Sequence, residues 1–240
     1  MPNVFNPYQD VCPVHDKANA AALRRANLRA VLESVQREDV HALWVGRDLG
    51  YRGGRRTGIP LTDDHCLDAI ARRFGLAPLE QPTAGSPIGE RTATVVWNML
   101  AWIEQPIMFW NVFPFHPHPA GEPMANRTHT AKERSGAHEF LEAIIALTRP
   151  SCIVAIGRDA ETATSAFNLP VHPVRHPSFG GQRKFEAGIA EVYGLAPRRD
   201  WSIAPSADLL SYAAMDAVGR VSLRRASSDA TSDSSLLISP

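Results

Sequence analysis

The chain has 240 residues, 44% of them hydrophobic and 21% charged, which suits one α/β domain with a full core. Its 25 Lys and Arg balance 25 Asp and Glu, so no global basic field announces a nucleic-acid partner. Cys12, Cys66 and Cys152 are dispersed and form no C-x-x-C pair, which argues against a disulfide framework and an obvious thiolate metal site, and fits a reducing, cytoplasmic setting. There is no signal peptide and no apolar run of about 18 residues, so neither secretion nor a membrane partner is expected.

Residues 1–15 hold three prolines and no periodicity, and should be irregular. Leu28, Val31, Leu32 and Val35 fall at helical spacing and predict a helix over 16–38. A short apolar run, His41 to Val45, predicts a buried strand, which breaks into a Gly- and Arg-rich loop, Gly46 to Thr62. Leu67, Ile70, Ala71 and Phe74 resume helical spacing and Gly75 suits a C-cap. A Pro- and Gly-rich loop over 76–89 leads to a helix from Glu90 to Ile103. A second strand, Ile107 to Phe113, gives way to a long Pro- and His-rich loop, Pro114 to His129. Helix 132–148, strand Cys152–Ile156, a short helix near 160–167, strand Val171–Val174 and a helix through Phe185, Ile189, Val192 and Tyr193 complete the pattern.

Strands alternating with helices predict a single α/β domain over 16–200, a four-stranded, mostly parallel sheet with helices on both faces. One more helix is expected within 201–218. From 219 to 240 the chain is Ser-, Arg- and Asp-rich, and disorder is expected.

Three loops carry chemistry-bearing residues. After the first strand, Arg47, Arg52, Arg55 and Arg56 surround a single carboxylate, Asp48, among glycines suited to close approach by an anion. A carboxylate is unfavourable beside a phosphate site unless it does chemistry or caps a helix. Asn111 ends an apolar strand, where a buried amide must find a partner or face a pocket. The third loop, Arg175-His176-Pro177-Ser178-Phe179-Gly180-Gly181, is followed by Arg183 and Lys184. His116, His118 and His129 match no zinc spacing, so no metal is expected.

Taken in order, Gly46-Arg47-Asp48-Leu49-Gly50, Asn111 and His176-Pro177-Ser178 resemble the motifs of the uracil-DNA glycosylase superfamily over about residues 40–195. The resemblance implies an enzyme that flips uracil out of DNA and hydrolyses its N-glycosidic bond, with Asp48 activating water and His176 stabilising the departing base. It implies a base pocket of Gly46, Arg47, Gly50, Tyr51, Leu61 and Asn111. DNA contacts would come from Arg52, Arg55, Arg56, Ser178, Phe179, Gly180, Gly181 and Arg183, with Phe179 as the wedge. No cofactor is implied, and the expected partner is uracil-containing DNA, single- or double-stranded, bound by a monomer. Leu49 replaces the family's usual Pro, Leu61 stands where an aromatic ring stacks on the base, and Gly50 stands where some members place a Tyr. The four cysteines of the iron–sulfur branch are not present, which places the chain with divergent, cluster-free members. Two alternatives differ in chemistry. One is a non-catalytic or covalently trapping uracil-DNA binder, kept open by the Arg-rich 52–56 stretch. The other is an unrelated hydrolase using the histidines and a metal.

Overall fold

Leu43 and Val45 point to one side of the first long strand, and Ala42 and Trp44 to the other; all four are fully buried. A strand apolar on both sides needs cover on both faces, which a parallel sheet with crossover helices supplies. The computed structural model describes residues 1–37 and 39–202 and has this architecture. In chain order its first half contains β1 (Val4–Phe5), α1 (Ala20–Val35), β2 (Ala42–Asp48), α2 (Gly54–Thr57), a 3-10 turn (Asp64–Cys66), α3 (Leu67–Arg73) and α4 (Arg91–Leu100). The second half contains β3 (Ile107–Phe113), β4 (His116–Pro117), α5 (Ala131–Thr148), β5 (Cys152–Ile156), α6 (Arg158–Thr164), β6 (Val171–Val174) and α7 (Gln182–Tyr193).

The main sheet has strand order β3-β2-β5-β6, all parallel. One face packs Val31 and Val35 of α1, Ile70 of α3 and Leu141 and Ile144 of α5 against Leu43, Trp110 and Ile153. The other packs Val96 and Met99 of α4 and Phe185 and Ile189 of α7 against Trp44, Phe109 and Val154. From β2 the chain goes first to β3 on one side and later to β5 on the other. That reversal opens a crevice beyond the carboxyl ends of β2 and β5, where open α/β sheets bind ligands.

Three segments read as irregular carry structure. Val4 and Phe5 pair antiparallel with Pro117 and His116, so the N-terminal segment and the His-rich loop hold each other. Within the Gly-rich loop, residues 54–57 form α2, closed by Gly58 in the left-handed region at φ +79°. The expected helix in 201–218 and the expected disorder over 219–240 lie outside the described residues, apart from Trp201 and Ser202.

Candidate active site

The crevice is a cavity of about 750 Å³. It is lined by Arg47 and Asp48 at the end of β2, by Leu49 and Gly50 just beyond it, by Leu61, by Asn111 of β3, and by Arg175, His176, Ser178 and Phe179 after β6. Three loops far apart in sequence therefore meet, as the sheet order requires.

Asn111 stands opposite Gly46 in the β2–β3 register. A Cβ on Gly46 would lie 2.4 Å from Asn111 Oδ1 and 3.1 Å from Leu61 Cδ2, so only glycine leaves room for both. Asn111 is 1% exposed and its Oδ1 has no hydrogen-bond partner among the described residues. A buried acceptor without a donor costs about 1–3 kcal/mol. That cost is offset when a ligand supplies the donor.

Leu61 has φ +58°, a left-handed conformation unfavourable for a bulky side chain. Its carbonyl accepts the indole N–H of Trp97 at 3.0 Å, which holds the turn and keeps the isobutyl group at the cavity wall. Strain held by surrounding contacts is characteristic of binding sites.

Asp48 has a buried side chain and two cationic or polar neighbours. Arg47 Nε donates to Oδ2 at 2.6 Å, and His129 Nδ1 donates to Oδ1. His129 is itself buried against Phe113, with ring centroids 5.7 Å apart. It is placed by the start of α5. There Thr130 and Glu133 form a capping box, and Arg127 grips Glu133 through two bonds of 2.8 and 2.7 Å. The Arg127 guanidinium holds the Glu133 carboxyl down to about 2. His129 escaped sequence reasoning, which considered it only as a metal ligand. The signal was the capping pattern Thr130-x-x-Glu133 directly after it, together with a buried Asp48 that needed a donor.

His176 Nδ1 accepts the Ser178 backbone N–H at 3.1 Å and is 2.8 Å from the Ser178 hydroxyl. With Nδ1 an acceptor, the neutral ring carries its proton on Nε2. Burial, then Arg47 and Arg175, push the imidazole down to about 4, so it stays neutral at physiological pH. Gly181 lets this loop fold back, because a Cβ there would meet the His176 carbonyl at 2.1 Å. Phe179 is 97% exposed with φ +51°, an apolar side chain held out at the loop tip beside exposed Gly180.

The remaining predicted site residues lie elsewhere. Arg55 and Arg56 are each 1% exposed, which corrects their assignment as DNA contacts. α2 turns them inward: the Arg55 guanidinium lies 4.0 Å over the Phe5 ring, and Arg56 bonds Asp64 at 2.7 Å and Thr83 at 2.9 Å. Tyr51 does not line the cavity; its N–H donates to Asn126 Oδ1 at 2.9 Å. The rings at the cavity wall are His176 and Phe179 alone among the described residues. Arg52 is exposed on the Gly-rich loop, and Arg183 is exposed on α7 facing a different cavity. Arg158, which sequence reasoning left unassigned, lines the candidate site, as does Arg175. His116 and His118 each bond a backbone carbonyl, of Leu49 and Pro119 respectively.

A parallel α/β sheet with this cavity at its switch point defines a class, and a family model agrees with it. Residues 35–193 match the model of the uracil DNA glycosylase superfamily, and the chain belongs to that superfamily. The fold is similar to the crystal structure of wild-type SMUG2 from Pedobacter heparinus, with TM-score 0.53 and 15% sequence identity over 81% of this chain and 87% of that one. No curated protein matches the chain.

Proposed function

We propose that the protein is a DNA glycosylase that extrudes uracil from DNA and hydrolyses its N-glycosidic bond. The observation that carries this reading is the buried, unpartnered Oδ1 of Asn111 in a cavity shared with Asp48 and His176. Uracil presents an N3–H donor flanked by carbonyl acceptors, so a carboxamide can take N3–H on its oxygen and offer N–H to a carbonyl. Nothing stacked in a duplex can reach Asn111, so the nucleotide must leave the helix. Phe179, exposed at its loop tip, is the wedge that fills the vacated space. Arg158 and Arg175 replace Arg55 and Arg56 as the phosphate contacts.

Bond cleavage builds positive charge on the sugar and negative charge on the leaving base. Asp48 stabilises the first and takes a proton from the attacking water; the neutral Nε2–H of His176 stabilises the second. Because the ring is already neutral, its donor does not titrate away as pH rises. The motive for a trapping binder weakens, since two of the three arginines in 52–56 are interior.

The test is incubation with single- and double-stranded oligonucleotides carrying uracil, hypoxanthine or a T·G mismatch, followed by alkaline cleavage. Strand breaks at uracil are expected. Tight binding without base release, or a complex that survives denaturing electrophoresis, would replace the hydrolytic reading with a binding or trapping one.

A further inference from the structure

A second carboxyl group stands in the cavity wall. Glu90 N–H donates to Asp63 Oδ2 at 2.7 Å, and its carbonyl accepts the Thr94 N–H at 3.0 Å as α4 begins. With the main chain fixed on both sides, the side chain reaches the Gly-rich loop. A Cβ on Gly50 would lie 2.6 Å from Glu90 Oε1, and one on Gly53 would lie 1.8 Å from Oε2. Gly50 has no positive φ and is needed for room, while a Cβ on Gly53 would also meet the Thr62 carbonyl at 2.6 Å. Among the described residues no donor bonds either carboxyl oxygen. The loop is thus shaped around a carboxyl group that lines the cavity and has no hydrogen-bond donor among the described residues.

The titratable and charged groups around it are Asp63 beneath, the Cys66 thiol of the 3-10 turn, Arg52 on the Gly-rich loop, Arg91 next in sequence, and Arg47 and Asp48 in the same cavity. Burial, then the Asp63 carboxylate, push Glu90 up to about 7, with Arg52 opposing. A protonated carboxyl has one O–H donor and a carboxylate has none.

We propose that Glu90 is a specificity-determining residue of this site, whose carboxyl O–H donates a hydrogen bond to an exocyclic carbonyl oxygen of the extruded base. The inference rests on the glycosylase reading above and adds a residue to it. A keto base is accepted while the donor is present. Ionisation turns the donor into an acceptor facing a carbonyl oxygen, which is repulsive.

The experiment measures single-turnover uracil excision between about pH 6 and pH 9 for wild type, Glu90→Gln and Glu90→Ala. Glutamine keeps a donor and an acceptor but does not titrate. Wild-type rates should fall by about tenfold per pH unit above about pH 7, as one essential proton is lost. Glu90→Gln should stay within a few-fold of the wild-type plateau and remain flat. Glu90→Ala should be about tenfold slower or worse at pH 6, the worth of one lost hydrogen bond. Parallel profiles for wild type and Glu90→Gln, or an unimpaired Glu90→Ala, overturn the proposal. Binding of free uracil, followed by NMR at about pH 6 and pH 8, needs no bond cleavage and separates the two readings. If the wild type cleaves nothing, the glycosylase reading fails. Weaker uracil binding at the higher pH in wild type but not in Glu90→Gln still supports the donor. Equal affinity at both pH values, or no binding at either, overturns it.

Discussion

Asp48 is held from two sides, by Arg47 on Oδ2 and by His129 on Oδ1, and only Arg47 of the two also lines the cavity. In the proposed mechanism His129 would therefore act through Asp48, as a positioning residue. Asp48→Asn should lower the single-turnover rate by about 10²–10⁴-fold, the range for a positioned general base, with DNA affinity unchanged or higher. His129→Gln should lower the rate less. The informative measurement is the double variant: groups that act as a unit are non-additive, so adding His129→Gln to Asp48→Asn should cost almost nothing further. Multiplicative losses would mean that His129 contributes independently of Asp48. The contrast with Asn111 is instructive at this scale. Asp48 has both oxygens bonded within the protein, whereas the side-chain oxygen of Asn111 has no donor among the described residues, as expected of a group that orients a ligand.

Two elements bear on the proposed contact with DNA, and they are opposite in kind. The loop after β6 exposes Phe179, so Phe179→Ala should slow excision from double-stranded DNA while nearly sparing single-stranded DNA, where no stack must be broken. Equal losses on both substrates would exclude a wedge. α2 instead buries its arginines. Arg56→Ala leaves Asp64 without its partner in the interior, and breaking such a pair costs roughly 3–5 kcal/mol. It should lower the melting temperature without changing the salt dependence of DNA binding. Arg175→Ala should do the reverse, reducing the slope of log affinity against log salt by about one. The four strands, their order along the chain and the meeting of Asp48, Asn111 and His176 at one sheet edge were legible in the sequence, because apolar runs and glycine breaks are local signals. The fate of Arg55 and Arg56 was not. Whether an arginine faces water depends on what covers it, and the cover here is Phe5, Asp64 and Thr83, from three separate segments. Tyr51 failed for a related reason: its N–H is tied to Asn126 from a distant loop, and the ring does not reach the cavity wall.

At the scale of the whole molecule, His116, His176 and Glu90 tilt stability against pH between about 4 and 7. His116, buried with Nδ1 on the Leu49 carbonyl, and His176 are both pushed from 6.5 down to about 4. Burial is the first cause for each. Between those values the unfolded chain binds two protons that the folded chain refuses, so each histidine's contribution is lost as pH falls from 6.5 toward 4. Glu90 has the opposite sign. Raised from 4.5 to about 7, it is protonated in the folded chain where the unfolded chain is ionised, so its contribution is lost as pH rises through that window. From 4.5 to 6.5 two histidines outweigh one glutamate, and stability climbs with pH by the equivalent of about one proton. Above 6.5 only the glutamate titrates among these three, and stability declines. Glu133, held down to about 2, adds a further loss only below 4.5. Melting temperature should therefore peak near pH 6.5 and fall on the acid side by about 3–5 °C per pH unit for a chain of this length. His176→Asn should remove one of the two opposing histidines and leave stability nearly level from 4.5 to 6.5. Glu90→Gln should abolish the decline above the peak and steepen the acid limb. A wild-type melting temperature that does not decline between pH 6.5 and 8, or a Glu90→Gln profile that matches the wild type there, would mean that Glu90 is already ionised in the folded protein and makes no contribution in that window.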